Sequence, residues 1–251
     1  TVVIKGIHAI NIKIITQTPK GGYYLGKEGG ILNAIIGSFY IAVGATLITI
    51  FFSLPVAFYC NIYAKRKSWF VSFIRFSLDI LCGVPSIIFG AFGLIIMLFI
   101  GLKASLLGGI IAVSFLIFPI MCRGIDELIR MVPYEILESS YALGATKVES
   151  AYKVVLKQAL PGIITVILIA FGRGIGDAAS VLFTAGFSDH IPSSLFRPAA
   201  TLPLAIFFQL GSPIPEVQNR AYASAFVLTI IILLLCILTR ILTRRFNKYK
   251  I

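Results

Sequence analysis

The longest uncharged segment of the chain sets its fold class. Residues 33–59 contain no Asp, Glu, Lys or Arg. A helix needs about 20 mostly apolar residues to cross the hydrocarbon core of a bilayer. Four further stretches that are mostly apolar follow, at residues 70–100, 104–121, 161–187 and 221–238. The sequence therefore predicts an all-α polytopic membrane protein with five visible spans.

The composition excludes a soluble globular domain. Charged residues make up 13% of the 251 residues and hydrophobic residues 58%, and the mean hydropathy is +0.97. A soluble domain carries about a quarter of its residues as charges. This chain has too few polar side chains to cover a globule.

The basic residues predict the orientation in the membrane. The formal net charge is +12, but most Lys and Arg flank the apolar stretches, which argues against a nucleic-acid partner. With the carboxyl terminus inside, inner segments 61–77, 122–160 and 239–251 hold 14 Lys and Arg, against 7 in the outer segments. We therefore expect a multi-pass protein of the cytoplasmic membrane with a cytoplasmic carboxyl terminus.

Five spans would place the amino terminus outside. The opening residues 1–15 are apolar but too short to cross, and we interpret the outer segment 1–30 as holding the tail of a sixth helix that precedes this sequence. The alternative is a true five-span protein with an outside amino terminus.

Two regions contain helix breakers. Gly83, Pro85 and Gly90 fall inside the second span, where we predict a broken helix, because proline removes a helix hydrogen bond. Such breaks are tolerated where other protein or water satisfies the freed backbone groups. The outer loop 188–220 holds five prolines around the apolar run 202–210, and we expect it to dip partly into the membrane.

No catalytic constellation is visible in the sequence. The segment from Gly21 to Lys27 imitates a phosphate-binding loop, but Glu28 stands where Ser or Thr would hold magnesium. The four cysteines and two histidines are scattered, without metal-ligand spacing. We therefore expect a non-catalytic subunit without a cofactor or a metal.

The inner loop 123–160 alternates charged and apolar residues at helical spacing, which predicts an amphipathic helix-turn-helix. Gly144 interrupts this pattern at a cost of about 1 kcal/mol relative to alanine, which indicates a tight turn or a close approach by another chain.

The same loop resembles the cytoplasmic "EAA" loop of ABC importer permeases. The matching stretch runs from Leu137 to Lys147 and continues at residues 159–162. In that family the short helix docks in a groove of the ATPase subunit, which implies a coupling role for five residues: Glu138, Ser139, Ser140, Gly144 and Ala145. Ser139 and Ser140 replace the usual alanines, and Lys157 occupies a position where the family has proline.

Three other motifs resemble phosphate permeases. They are residues 74–90 around Arg75, Asp79 and the Gly83–Gly90 signature, the run Arg173-Gly-Ile-Gly-Asp177, and residues 198–203, which favour the PstA-type subunit. The resemblance covers essentially the whole chain. It implies a single type I ABC importer permease domain over 1–251, in a family with six helices. The implied partners are a homologous PstC-type permease, two ATPase subunits and an extracytoplasmic phosphate-binding protein.

Arg173 is unusual on physical grounds alone. If the fourth span begins near Pro161, Arg173 lies about 18 Å along it, near the bilayer midplane, where an arginine costs at least ~2.5–3.5 kcal/mol. Asp177, four residues on, would share its helical face. We interpret the two as a substrate-pathway site, in which the guanidinium binds phosphate oxygens and the carboxylate repels sulfate, which lacks a proton to donate. The alternative is a self-neutralised pair that only holds helices together.

Arg75 and Asp79 repeat the same spacing near the inner end of the second span, where we favour a structural or gating pair.

The predicted function is translocation of inorganic phosphate in an ATP-driven importer. The alternatives are a permease for another oxyanion, such as molybdate, sulfate or phosphonate, a non-ABC channel, or an intramembrane enzyme, for which no constellation is visible.

Overall fold

The computed structural model describes residues 2–20, 28–64 and 68–247 of the chain, and nearly all regular structure in them is helical. The predicted loop from Gly21 to Lys27 lies outside the described residues. The elements in chain order are α1 (Val2–Ala9), α2 (Ile12–Thr16), β1 (Pro19–Lys20), β2 (Glu28–Gly29), α3 (Leu32–Phe58), α4 (Trp69–Gly83), α5 (Ser86–Phe99), α6 (Leu106–Arg130), α7 (Tyr134–Ala142), α8 (Lys147–Glu149), α9 (Leu156–Ile175), α10 (Leu202–Leu210) and α11 (Pro215–Asn247). One π-helical turn, Tyr59–Tyr63, extends α3, and a second, Ser150–Val155, leads into α9.

The predicted spans correspond to long apolar helices. Four helices of the described chain are long and apolar enough to cross a membrane, and α4 with α5 make a fifth if this bent pair counts as one span. Large apolar side chains on these helices are exposed, for example Phe51 at 74% and Phe99 at 91%. Exposed apolar faces of this extent fit helices that contact lipid, so the predicted all-α membrane fold is confirmed.

The second span breaks at Val84–Pro85, as predicted. Val84 is extended, at φ −71° and ψ 131°, because the proline ring disfavours helical geometry in the residue before it. Gly83 is the last residue of α4, and Pro85 precedes the first turn of α5. The prediction that Gly90 belongs to the break is wrong, because Gly90 lies within the continuous helix α5.

The fourth span lies earlier in the chain than predicted, over Lys147–Ile175 rather than 161–187. α9 ends at Ile175 rather than near residue 187, and residues 176–201 form turns and irregular segments. The loop predicted over 188–220 contains α10, whose residues Leu202–Ala205 are all buried. The apolar run at 202–210 is therefore a short helix inside this loop, and partial entry of the loop into the membrane stays a prediction.

Contacts divide the chain into two compact units, neither of which is one contiguous stretch. The first comprises Thr1–Ala45, Pro85–Leu116 and Gly172–Leu235, and the second comprises Thr46–Val84, Ile117–Phe171 and Cys236–Ile251. A single domain over 1–251 stays a prediction.

The first unit contains a tightly packed apolar cluster. Its residues come from the start of α3 and the residue before it, and from the start of α10 and the segment before it: Ile31, Ala34, Ala200, Leu202 and Ala205. Polar side chains of α3 fix this packing, since Asn33 donates to the Ser188 carbonyl at 2.6 Å and Ser38 Oγ accepts from the Leu202 amide at 2.8 Å. The permease-like motif at residues 198–203 therefore contributes to this core.

The second unit packs α6 closely against α9. A Cβ atom on Gly124 would lie 2.8 Å from Val166 Cγ1, and one on Gly162 would lie 2.5 Å from Leu128 Cδ2. Small residues of this kind allow the backbones of membrane helices to approach each other. The π-helical turn before α9 brings Tyr152 against Phe58, with ring centroids 5.2 Å apart.

The opening segment forms the short helix α1, which packs on α11. The Lys5 ammonium lies 4.8 Å from the Tyr222 ring centroid, and a Cβ on Gly6 would lie 2.6 Å from Phe226 Cβ. These contacts attach the opening segment to the helix that starts at Pro215.

The contact of Gly37 with residue 200 generates a stability prediction. A Cβ atom on Gly37 would overlap the carbonyl oxygen of Ala200, and a backbone carbonyl cannot move aside as a side chain can. We expect Gly37→Ala to destabilise the protein by about 1–3 kcal/mol through overpacking. Thermal unfolding of the detergent-solubilised protein measures the effect. Gly211→Ala is the matched control, since a Cβ there would meet no described atom within 4 Å; equal unfolding midpoints for both variants would contradict the prediction.

Candidate functional site

Arg173 lies in the last turn of α9, two residues before the helix ends at Ile175. Its side chain is exposed. A cation in the last turn of a helix interacts favourably with the helix dipole. No carboxylate of the described chain lies within ion-pair distance of the guanidinium. Its donors therefore remain available on the protein surface.

Asp177 does not continue the helix, which corrects the prediction that it shares a helical face with Arg173. It is buried, at 8% exposure, and its Oδ2 accepts hydrogen bonds from the Ser180 amide at 2.8 Å and the Ser180 hydroxyl at 2.5 Å. The carboxylate thus closes a turn that follows α9. The self-neutralised Arg173–Asp177 pair considered as an alternative is not formed.

The turn after α9 packs directly against Gly90 of α5. A Cβ atom on Gly90 would lie 2.8 Å from the Ala179 carbonyl oxygen and 2.9 Å from Ser180 Cα, and both distances are too short for a real side chain. Gly93, one turn on, faces Ala112 and Thr184 in the same way, with Cβ distances of 3.0 and 3.3 Å. Gly90, the last glycine of the Gly83–Gly90 signature, and Gly93 beyond it therefore allow close packing against α5 rather than break a helix.

A second charged cluster is centred on Asp126, near the end of α6. Its carboxylate is 3% exposed and accepts two hydrogen bonds from Arg75, at 2.8 and 2.9 Å, and one from Asn61 at 2.7 Å. Arg123 adds a contact of 3.2 Å. The carboxylate therefore joins α6 to α4 and to the π-helical turn after α3. Two cations and an amide offset the cost of burying its charge.

The predicted Arg75–Asp79 pair is not formed. Arg75 binds Asp126, while Asp79 accepts a hydrogen bond from Arg123 at 2.7 Å. Each residue of the predicted pair thus binds across to α6 rather than along its own helix. The resulting network connects α4 with α6 at two places. A structural or gating role for Arg75 and Asp79 stays a prediction.

The loop predicted over 123–160 is a helix-turn-helix, although α6 extends to Arg130 and α9 begins at Leu156. Gly144 has φ +83°, a conformation that side chains strongly disfavour. Thr146 then begins the next helix with a capping box, in which its side chain and that of Glu149 satisfy each other's backbone amides. The tight turn expected at Gly144 is therefore present.

The five predicted coupling residues differ in accessibility. Glu138, Ser139 and Gly144 are exposed and Ala145 is half-buried, whereas Ser140 is buried. The Ser140 hydroxyl lies 2.7 Å from the Ser150 hydroxyl and 2.8 Å from the Leu137 carbonyl. It therefore ties α7 to the start of the following helix and presents nothing to a partner.

The structure adds functional candidates that sequence reasoning missed. Leu143, directly after α7, is 89% exposed, and an apolar side chain this large and this exposed suits a docking contact. The predicted inner loop includes Asp126, because the apolar run ends near residue 121, although α6 contains it. Its i, i+3 spacing from Arg123 is a sequence signal for an ion pair. The predicted outer loop includes Arg220, which is 3% exposed within α11.

Sequence comparisons agree with a transport role. A model of the family described as "Binding-protein-dependent transport system inner membrane component" matches residues 50–249. The chain is 35% identical to the phosphate transport system permease protein PstA of Yersinia pestis, over 96% of this chain and 80% of that protein. It is 34% identical to PstA of Haemophilus influenzae, over 96% and 84%. It is 32% identical to a probable ABC transporter permease protein, YqgI, of Bacillus subtilis, over 92% and 83%.

The fold has a counterpart among solved structures. A chain of the inward-facing MetNI methionine ABC transporter superposes with a TM-score of 0.67, at 19% identity, over 86% of this chain and 95% of that chain. At this identity the similarity concerns the fold alone. It confirms the predicted type I ABC importer permease fold.

Two of the three carboxylates that bind Arg123, those of Asp126 and Glu127, generate a prediction about stability. Asp126→Ala leaves Arg75 and Arg123 without their buried partner, and we expect it to lower the free energy of unfolding by about 3–5 kcal/mol. Glu127→Ala is the matched control, because Glu127 lies 3.1 Å from the same Arg123 with 60% of its side chain exposed. An exposed pair contributes about 0–1 kcal/mol. Denaturant unfolding in detergent micelles compares the two, and equal losses would refute the central role of Asp126.

Proposed function

Because the chain belongs to the family of binding-protein-dependent transport system inner membrane components, we propose that it is the permease subunit of an ABC importer that carries inorganic phosphate into the cell. The assignment of phosphate as the substrate rests on the similarity to proteins named PstA, which extends over four-fifths or more of their length. The chain translocates its substrate without covalent chemistry, and ATP hydrolysis takes place in partner subunits.

The proposed assembly has four kinds of component. This chain pairs with a homologous PstC-type permease, two ATPase subunits bind the loop between α6 and α9, and an extracytoplasmic phosphate-binding protein delivers the substrate. The excess of Lys and Arg in the segments beside this loop supports a cytoplasmic location for it and for the carboxyl terminus.

Arg173 is the proposed phosphate contact. A guanidinium presents a planar fork of donors that matches two phosphate oxygens. The exposure of Arg173 and its lack of an ion pair with any described carboxylate support this role, because a paired arginine would have to break that pair to bind substrate. A Cβ on the neighbouring Gly172 would meet no described atom within 4 Å, so the helix surface beside Arg173 is open at that position.

We propose that Asp177 contributes to anion selectivity, although it forms no helical pair with Arg173. The two hydrogen bonds from Ser180 fix the position of this carboxylate, four residues from Arg173. A fixed negative charge there would disfavour sulfate, a dianion without a proton, more than hydrogen phosphate, which can donate one. Selectivity would then come from repulsion rather than from a direct salt bridge.

Coupling to the ATPase is proposed to use the exposed end of α7. Glu138, Ser139 and Leu143 form an accessible face there, and the positive φ of Gly144 turns the chain sharply beyond it. Ser140 and Ser150 link this helix to the polypeptide that leads into α9. A displacement of α7 by an ATPase would therefore be transmitted to the helix that ends beside Arg173.

The substrate proposal predicts the behaviour of two pathway variants. In proteoliposomes containing the whole transporter, Arg173→Ala is expected to reduce phosphate uptake by about tenfold or more, because a charge-assisted contact is lost. Arg240→Ala, which removes an exposed arginine elsewhere on the chain, is the control and should transport normally. Wild-type uptake by Arg173→Ala would defeat the proposed contact.

Asp177→Asn tests selectivity separately from folding. Asparagine keeps an oxygen for the Ser180 amide but removes the charge, so we expect sulfate to compete with labelled phosphate more effectively in this variant than in the wild type. Competition by molybdate, sulfate or phosphonate that exceeds competition by phosphate in the wild type would instead favour a permease for another oxyanion.

The coupling proposal predicts that Leu143→Glu abolishes ATP-driven uptake while leaving the permease folded. The side chain is almost fully exposed, so a charge there costs little in the isolated chain but would be buried at an ATPase interface. Copurification of the ATPase and transport are the measurements, and Leu143→Met should retain both. Normal ATPase binding by Leu143→Glu would exclude this docking face.

A further inference from the structure

A basic cavity lies in the second unit, behind the helix-turn-helix loop. Its volume is about 750 Å³, within the range of sites for small ligands. The walls come from the π-helical turn after α3, from α4, from the end of α6, from α7 and from the start of the helix that leads into α9. None of the roles described above uses this cavity.

Three cations line the cavity: Arg75, Arg130 and Lys147. Glu135 is the one acidic residue among the lining side chains, so the described lining carries an excess of positive charge. No described carboxylate lies within 4.0 Å of the Arg130 or Lys147 side chain. Cations that face a concave space without ion-pair partners favour an anionic ligand.

Further donors accompany the cations. Arg75 uses Nε and Nη2 to bind Asp126 and Asn61, and Nη1 donates to no described residue. Tyr134 and Tyr141 also line the space. Burial raises the pKa of the Tyr141 phenol, and the neighbouring Tyr134 and Tyr63 raise it further. Tyr141 therefore keeps its proton at physiological pH.

We propose that this cavity binds a phosphate group, held by Arg130, Lys147 and the free edge of Arg75. Arginine and lysine both bind phosphate oxygens, and three cations around one cavity can each contact a different oxygen of a phosphate group. Asp126 fixes the orientation of Arg75 and so preorganises one wall of the site. The group comes either from inorganic phosphate or from an anionic phospholipid headgroup, which present the same oxygens.

The chemistry of this site does not depend on phosphate being the transported substrate; only its cytoplasmic location rests on the proposed orientation. If the ligand is inorganic phosphate, the site would bind it on the side of the membrane where imported phosphate accumulates. If the ligand is a headgroup, the site would anchor the loop that carries α7 to the inner leaflet.

The test uses the assembled transporter in nanodiscs, without binding protein or ATP, and in an Arg173→Ala background so that the proposed pathway contact does not contribute. In phosphatidylcholine nanodiscs, equilibrium dialysis measures the binding of radiolabelled inorganic phosphate. In nanodiscs that contain phosphatidylglycerol, native mass spectrometry counts retained anionic lipid. The test variant is Arg130→Gln with Lys147→Gln, and Lys157→Gln, an exposed lysine outside the cavity, is the matched control.

We expect the double variant to bind one of the two probes at least about tenfold more weakly than the parent, because two charge-assisted contacts are lost. The Lys157→Gln control should bind both probes as the parent does. The probe that is lost identifies the source. If the double variant does not assemble, Lys147→Gln alone, on an exposed residue, should show a smaller loss of the same probe.

Three results would overturn the proposal: binding of neither probe by the parent, unchanged binding in the variants, or an equal loss in Lys157→Gln. Normal phosphate uptake by Arg173→Ala would defeat the proposed pathway contact but leave this measurement unaffected. The two proposals can therefore fail independently.

Discussion

The packing of the second unit depends on the hydrogen bonds and ion pairs of one buried carboxylate, that of Asp126. An ionised group removed from water is stable only if charges and donors replace its hydration. Asp126 obtains them from Arg75, Arg123 and Asn61, which come from three separate elements. Satisfying one charge therefore fixes how α4, α6 and the turn after α3 meet. The basic cavity shares Arg75 with this network, so its wall is ordered by the same carboxylate.

In the first unit, packing is governed by backbone approach rather than by charge. Gly37 and Gly90 each lie against a carbonyl of the irregular polypeptide between α9 and α10. Non-helical backbone in a membrane protein must find its partners within the protein. Asn33, Ser38 and Asp177 supply some of these hydrogen bonds. Contacts with α3 and α5 therefore fix the loop that follows Arg173, and this limits the movement of the helix end that carries the arginine.

The loop between α6 and α9 combines a rigid interior with an accessible tip. Its interior is fixed by the Ser140–Ser150 contact and the capping box at Thr146, while Leu143 and Glu138 remain exposed. Such an arrangement suits the transfer of a displacement, because the Ser140–Ser150 hydrogen bond connects α7, which would be moved, to the helical segment leading into α9, which would respond.

The sequence by itself determined the fold class, the break at Pro85, the turn at Gly144 and the family. These follow from local rules, namely the length of apolar runs, the restrictions that proline imposes and short motifs that need no knowledge of neighbours. Only the tertiary structure decided which charges pair. Spacing of i, i+4 predicted Arg75–Asp79 and Arg173–Asp177, but Arg75 binds a carboxylate 51 residues away, and α9 ends before Asp177. A buried charge takes the partner that packing brings to it, and that partner is set by how helices distant in sequence meet.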